Sequence, residues 1–313
     1  MVPLPLGLNC VAVSARNAGH EVELVDLMGE TDSGSTIGAA VERLRPDVIG
    51  ISVRNVDDQR MEGPRFLLEP VRAAIASCRR VSDAPIVLGG AGFSIFPEAV
   101  LEYLEADMGI RGEGEVAFPA LLDRIGKGGD PSGILTPALC APDLDALPLP
   151  DPSLWTSKPG AGQEIWAPVQ ARRGCPMQCS YCSTPALEGT AIRTRSPEAV
   201  ARGISRHVEA GFDRFYFVDN VFNLPAGYAK ELCAALKDVG SRIRWRCILY
   251  PGGVDEELVK AMAEAGCVEV SLARISHLRL SVVPYPQIRR LGRVRLHLKL
   301  TQAITNLKSL AFL

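Results

Sequence analysis

The chain has 313 residues, 47% hydrophobic and 22% charged, with a formal net charge of −2. That length suits about two domains, and the composition is that of an ordinary soluble globular protein. Nine cysteines in a chain this long exclude a small disulfide scaffold, and the balanced charge points neither toward nor away from nucleic acid. No apolar run reaches the ~18 residues a membrane span needs. The first basic residue is Arg16, so the charged start of a signal peptide is missing. These features together predict a reducing, cytoplasmic setting.

The first half alternates helix and strand. Residues 6–18 read as a helix that Gly19 ends in a left-handed cap. Glu21–Asp26 reads as a strand. Ile37, Ala40, Val41 and Leu44 have helical spacing, with Ser35 or Thr36 as the cap. Val48–Val53 is a short apolar run, as in a strand covered on both faces. A helix is expected at 64–79, a strand at Pro85–Gly90, a helix from Pro97 to 105 and a strand at Met108–Arg111. A further helix runs to about Ile125. This rhythm predicts a parallel, doubly wound sheet. Ligands bind such a sheet beyond the carboxyl ends of its strands. Those ends carry Arg54-Asn55, then Gly89-Gly90-Ala91-Gly92-Phe93-Ser94, then Gly112-Glu113-Gly114-Glu115. Plain turn chemistry accounts for many such glycines, and no Gly-x-Gly-x-x-Gly opens a helix, which argues against a dinucleotide.

Residues 127–164 are rich in Pro and Gly and read as a linker between domains. The second half starts with a strand at Glu164–Gln170. A helix capped by Ser196 runs to Ala210, a strand spans Phe215–Asp219 and a helix 225–239. Ile243–Tyr250, helix 255–265 and Val268–Leu272 follow. Four such units predict a partial β/α barrel, with its chemistry at the carboxyl ends of the strands.

The most specific signal lies where the first barrel strand ends. Cys175, Cys179 and Cys182 stand at C-x3-C-x2-C spacing within Arg172-Arg173-Gly174-Cys175-Pro176-Met177-Gln178-Cys179-Ser180-Tyr181-Cys182. Clustered thiolates select zinc, copper(I) or iron–sulfur centres. Zinc sites usually bring a second ligand pair, and none is present. Three thiolates leave one metal position open. The bland alternative is three incidental core cysteines. Cys10, Cys78, Cys140, Cys233, Cys247 and Cys267 are scattered singly and read as reduced core residues.

This triad, with the aromatic Tyr181 before its last cysteine, resembles the cluster motif of the radical S-adenosylmethionine (SAM) enzymes. The resemblance implies a [4Fe-4S] cluster on Cys175, Cys179 and Cys182, whose open iron chelates SAM and whose electron releases a 5′-deoxyadenosyl radical. In the first half, Pro5-Leu6-Gly7-Leu8, Gly19-His20-Glu21-Val22, Gly89-Gly90, Phe96-Pro97-Glu98 and Gly112-Glu113-Gly114-Glu115 resemble the cobalamin-binding domain that precedes many radical SAM domains. The likeness covers about residues 3–272. It implies a corrinoid over Arg54, Asn55, Gly89, Gly90, Gly92, Ser94, Gly112 and Glu113, without a histidine on cobalt, since Asp-x-His-x-x-Gly is absent. It implies SAM contacts from Tyr181, Asp219, Asn220, Ser271 and Arg193, with Arg195 as the alternative to Arg193. For Asp219 the competing role is turn capping.

Two departures stand out. The chain begins at the helix that the family's first strand normally precedes, so that strand is expected to be missing. Residues 270–313 hold eight Lys or Arg and no Asp or Glu, whereas the remainder carries 26 basic and 36 acidic residues. A break in the reading frame, a basic amphipathic helix, or an unusual folded ending are the three readings.

The expected organisation is α/β throughout: a flavodoxin-like cobalamin-binding domain at 1–126, a linker at 127–164, an incomplete radical SAM barrel at 165–272 and an atypical basic segment at 273–313. The resemblance implies methyl transfer to an unactivated carbon of a small-molecule or natural-product substrate, with flavodoxin or ferredoxin as electron donor and no nucleic acid. Ring formation or rearrangement, a truncated cofactor-binding remnant, and a structural thiolate–metal module are the alternatives.

Overall fold

A computed structural model describes residues 4–27, 32–58, 60, 62–130, 132–136, 141, 143–155, 164–177, 179, 182–240 and 243–272, with the backbone of 295–297. Helix α1 (Leu6–Asn17) ends near Gly19, whose φ of +94° is the left-handed geometry expected there. Helix α2 (Ser33–Leu44) starts one turn earlier than its apolar spacing suggests, because Asp32 caps it by accepting from the Ser35 amide at 3.1 Å. Then come β1 (Ile49–Ser52), α3 (Leu68–Val81), β2 (Ile86–Gly89), α4 (Ala91–Ile95), α5 (Pro97–Leu104), β3 (Met108–Ile110), α6 (Gly114–Gly126) and β4 (Gly133–Leu135).

The four strands form a parallel sheet in the order β1-β2-β3-β4. Ile86 and Leu88 pack with Ile37, Ile75 and Leu104 of α2, α3 and α5 on one face. Val87 and Ile110 pack with Leu121 of α6 on the other, so the sheet is doubly wound. The sheet runs past the boundary expected at 126, since β4 lies in the Pro/Gly-rich stretch.

The strand expected at Glu21–Asp26 does not form. In flavodoxin-like order such a strand pairs with a strand that lies between it and β1. Among the described residues no strand pairs on that edge of β1, so the neighbour Glu21–Asp26 would pair with is not there.

Short 3-10 turns at Leu144–Ala146 and Pro152–Leu154 lead into the second domain. It comprises β5 (Ala167–Val169), β6 (Arg172–Arg173), α7 (Thr184–Glu188), β7 (Arg193–Thr194), α8 (Pro197–Glu209), β8 (Arg214–Phe217), α9 (Ala226–Asp238), β9 (Arg244–Leu249), α10 (Glu256–Glu264) and β10 (Cys267–Leu272). A strand β11 (Arg295–His297) joins β10. The parallel order β5-β8-β9-β10-β11 follows the chain, as in a barrel wall. Phe215, Phe217, Trp245 and Cys247 face Leu232, Cys233 and Leu236 of α9 in the core. Ser196 caps α8 as expected, accepting from the Ala199 amide at 3.2 Å. Of the basic ending at 273–313, all but β11 lies outside the described residues.

The two domains are fastened together. Asn9 of α1 exchanges two hydrogen bonds with the backbone of Asp151, at 2.9 and 2.8 Å. Leu4 packs into the core of the second domain. Trp155 is buried there too, and its indole N–H donates to His207 Nε2 at 3.1 Å. Arg195 donates to the carbonyls of Leu144, Leu147 and Pro148, which staples the linker to the barrel.

Candidate functional site at the domain junction

The carboxyl end of β5 turns directly into the cysteine loop. Arg172 and Arg173 pair antiparallel with Thr194 and Arg193, so β6 and β7 clamp the loop at its base. Gly174 sits between clamp and loop at φ +84°, its α-carbon so close to Ala191 that a Cβ would collide with that residue's backbone. Glu188, at the end of α7, closes the loop from the far side. Its carboxylate accepts from the Gly174 amide at 3.0 Å, from Asn220 Nδ2 at 2.9 Å and from Gln170 Nε2 at 3.1 Å.

Cys175 is buried, Cys179 half-buried and Cys182 exposed, and all three are free thiols. The amide of Cys182 donates to the Cys179 carbonyl at 3.1 Å, a turn that brings the last two together. Burial raises the Cys175 pKa, and the neighbouring Cys182 and Cys179 raise it further. Among the described residues, no three His, Cys, Asp or Glu side chains are gathered tightly enough for one metal ion. Thiolates around a single zinc lie roughly 3.8 Å apart. On a cluster each thiolate binds its own iron, so three sulfurs on one loop suit a cluster without such tight gathering.

The loop faces the carboxyl ends of the first sheet, since α4, which follows β2, packs on α7. Between them lies a buried charge network. Arg173 pairs with Glu115, and with Glu113 at 3.3 Å, and its Nε donates to Gln170. Arg193 pairs with Glu113 at 2.6 Å and donates to the carbonyls of Ala141 and Glu188 at 2.9 Å each. Burial alone pushes the Glu113 pKa up, but the bond from Arg193 and the charges of Arg173 and Arg193 bring it below the usual carboxylate range. Glu113 and Arg193, expected on corrinoid and SAM respectively, thus bind each other across the junction.

Asp219, beyond the end of β8, is buried. Its Oδ1 accepts from the amides of Ala171 and Arg172 at 2.9 and 2.8 Å, while Oδ2 has no hydrogen-bond partner among the described residues. Burial pushes its pKa up to about 6, against the pull of Arg172. One oxygen therefore does the backbone capping that turn chemistry suggested. Asn220 beside it lines a small cleft with Arg172 and Cys175, and its Oδ1 accepts from Thr184 at 3.0 Å. Ser271 lies half-buried on β10, on the same strand face as Glu269. Tyr181 lies outside the described residues.

The expected corrinoid face divides in two. Gly89 and Gly112 have open space where a Cβ would stand, so their backbone is free to approach a flat ligand. Arg54 and Asn55 at the end of β1 are exposed. Gly90 and Gly92 serve the fold, because a Cβ on either would press into the Val53–Asn55 backbone. Ser94 joins the two strand ends, donating to the Gly90 carbonyl at 2.8 Å and accepting from the Gly112 amide at 2.9 Å.

Sequence reasoning missed Arg172, Arg173, Glu115 and Glu188. Arg173 and Glu115 are 58 residues apart and Glu113 lies further still along the chain, and only the doubled acids at 113–115 opposite the doubled arginines at 172–173 hinted at a pairing. The free cysteines Cys10, Cys78, Cys233, Cys247 and Cys267 are buried, as expected of core residues, and Cys140 lies outside the described residues. Among the described residues no helix is long and apolar enough to cross a membrane.

Comparison with known proteins agrees with this layout. Residues 2–122 match the B12 binding domain, and residues 169–275 match the radical SAM superfamily. An uncharacterized methyltransferase of Pyrococcus horikoshii is 27% identical over 279 residues, spanning 84% of this chain and 59% of that protein. The hopanoid C-3 methylase of Methylococcus capsulatus is 28% identical over 251 residues, spanning 76% of this chain and 46% of that protein. The chain thus spans about half the length of these relatives. The solved structure of the radical SAM methyltransferase TsrM of Kitasatospora setae superposes with a TM-score of 0.77 at 22% identity, over 95% of this chain and 64% of that one. That likeness is one of fold.

Proposed function

The chain is a radical SAM protein that carries a B12-binding domain, and from that premise we propose that it is a cobalamin-dependent methyltransferase acting at an unactivated carbon of a small molecule. One observation carries the reading. The carboxyl ends of the two sheets meet at the Arg173–Glu113–Arg193 network, with the three-cysteine loop at that junction. Relatives described as methyltransferases support it.

Cys175, Cys179 and Cys182 would hold a [4Fe-4S] cluster. Gly89 and Gly112, with Arg54 and Asn55, would support the corrinoid on open backbone. When bound, the cluster supplies the electron that cleaves SAM reductively, and the corrinoid carries the methyl group. The residues of this chain orient those groups. Glu188 fixes the loop through Gly174 and Asn220, and Asp219 fixes the strand end through two amides. Asn220 and Ser271 would contact SAM. Arg193 and Glu113 are assigned to holding the domains together. Arg246 stacks on Trp166 and Tyr216, at 4.4 and 4.8 Å from their ring centroids, and these three line the barrel wall below the site. A reducing cytoplasm and a flavodoxin or ferredoxin donor suit this chemistry.

The test is electron paramagnetic resonance on the anaerobically reconstituted, reduced chain, after iron and sulfide have been measured near four each per chain, as a cubane requires. A signal whose g values move on adding SAM, together with cobalamin uptake seen in the visible spectrum, is the expected result. A cluster signal indifferent to SAM would refute the enzyme reading.

A further inference from the structure

Arg172 and Arg173 are neighbours on one short strand, where successive side chains turn to opposite sides. Arg173 goes outward to the glutamates of the first domain. Arg172 goes inward and is 4% exposed. Its amide is held by Asp219, yet neither Nη1 nor Nη2 has a hydrogen-bond partner among the described residues. Burial pushes its pKa down, against the pull of Asp219 and, more weakly, of Tyr228, Cys247 and Cys175. Asp219 thus attracts the guanidinium without meeting its fork. A buried guanidinium is costly unless an anionic acceptor meets it.

Space limits what that acceptor can be. Arg172 lines a tight cleft with Gly174, Cys175, Pro176 and Asn220, and only about 10 Å³ of it is free, room for a single water. An organic anion does not fit. A lone water leaves part of the fork unmet. The acceptor left is one that the cleft wall itself supplies. Cys175 is on that wall, and its thiolate, with the sulfides of a cluster built on the loop, accepts hydrogen bonds. Hydrogen bonds to cluster sulfurs and the local charge are levers that set a cluster's reduction potential. Reduction adds a negative charge to a centre that three thiolates already make anionic, so a cation beside it favours the reduced form. The carboxylates here act the other way: Glu188 is bound to the Gly174 amide, and Asp219 holds the strand end. Arg173 is committed to Glu113 and Glu115, which leaves the inward arginine to offset them.

We propose that Arg172 donates its guanidinium N–H groups to the sulfur of the cluster held by Cys175, Cys179 and Cys182, and so raises the potential at which that cluster takes its electron. This rests on the cluster assigned to the loop in the function proposed above. It gives the two adjacent arginines different duties. Arg173 fastens the domains, and Arg172 makes the loop's cluster easier to reduce. It also places a determinant of the electron-transfer step outside the cysteine motif.

The test is a redox titration of the reconstituted chain, followed by electron paramagnetic resonance in the absence of SAM and cobalamin. The wild type and the variants Arg172→Met and Arg172→Lys are compared at matched iron content. In Arg172→Met the equilibrium constant for one-electron reduction should fall roughly tenfold or more, since a hydrogen bond to a charged group has that weight. Tenfold is a midpoint potential about 59 mV more negative. Arg172→Lys, which keeps the charge and loses the fork, should fall between. An unchanged potential in iron-loaded Arg172→Met overturns the proposal. So does a fall of equal size in both variants, because altered packing without a loss of charge would produce it. If Arg172→Met takes up no iron, Arg172→Lys decides alone: a severalfold fall in the equilibrium constant supports the assignment and an unchanged one overturns it. A wild type that assembles no cluster overturns this inference and the proposed function together. A titration that shifts as expected, beside a signal indifferent to SAM, overturns the proposed function alone.

Discussion

Replacing Arg173 with methionine should loosen the junction by several kcal/mol, and the size can be worked out. At 3.3 Å from Glu113, with an effective dielectric constant of about 20, the Arg173 charge gains about 5 kcal/mol of attraction. Much of that gain offsets the loss of hydration, since the arginine and Glu115 side chains are only 10% and 5% exposed. Arg173→Met leaves that cost on Glu115 without the attraction. Glu113 is spared, because Arg193 still holds it. Breaking a buried pair from one side costs about 3–5 kcal/mol. The stranded carboxylate can escape by taking a proton, which at pH 7 costs an ordinary glutamic acid about 4 kcal/mol and at pH 5 about 1 kcal/mol. The deficit should therefore be about 3–4 kcal/mol at pH 7 and shrink on acidification. Urea unfolding of the reduced, metal-free protein measures it. Trp155, Trp166 and Trp245 are all buried in the second domain, so their fluorescence reports that domain. Adding Glu115→Gln should restore all but about 1 kcal/mol, because no buried charge is then left unpaired. A deficit below about 1 kcal/mol at pH 7, or one of equal size at pH 5, would show that the network contributes little.

Other changes have equally definite outcomes. Gly174→Ala combines a φ of +84° with a Cβ 2.9 Å from the Ala191 carbonyl carbon, so the loop should shift and cluster iron fall severalfold by ferrozine assay. Serine at Cys175, Cys179 or Cys182 should each abolish the cluster signal, while alanine at Cys233 or Cys247 should leave iron content unchanged. Asp219 is an acid whose pKa folding raises from 3.8 to about 6, so the fold favours its protonated form. Its ionisation costs the metal-free protein about 3 kcal/mol above pH 6, a penalty that fades as pH falls toward 3.8. Asp219→Asn should remove that pH dependence, seen as a flatter stability profile between those limits. Gly109→Ala places a Cβ 2.6 Å from Cε1 of the buried Phe93 ring, and thermal unfolding should show a loss of about 1–3 kcal/mol.

What could be read from the chain was whatever repeats along it. Apolar runs such as Ile49–Ser52 and Ile86–Gly89, and capped helices such as Pro197–Glu209, follow local rules and lie within a few residues of expectation. The three-cysteine spacing was legible for the same reason. Elements that depend on a distant neighbour were not. Gly133–Leu135 is three residues long, with Pro131 and Pro137 two positions beyond its ends, too short for any period, and becomes a strand only because β3 offers it an edge. Glu21–Asp26 shows the reverse, a good alternating pattern left without a ladder partner. Arg172–Arg173 carries no apolar signal, and which arginine turns inward depends on register alone. The mutual pairing of Glu113 and Arg193 spans 80 residues, so each looked free to meet a cofactor.

Asn9 and Asp151 are 142 residues apart and hold one another through both available bonds. During synthesis, α1 leaves the ribosome long before the segment that completes its buried face. Asn9, 0% exposed in the finished fold, must stay in water until the chain has grown past Asp151, and Leu4 until the second domain's core has been made. The end of α6 is therefore not a place to cut. An amino-terminal fragment stopping at Gly126 would expose that face, whereas one carried on through Trp155 would keep Asn9 satisfied. The minimal excisable unit is set by where the returning linker docks rather than by where the last helix of the first domain stops.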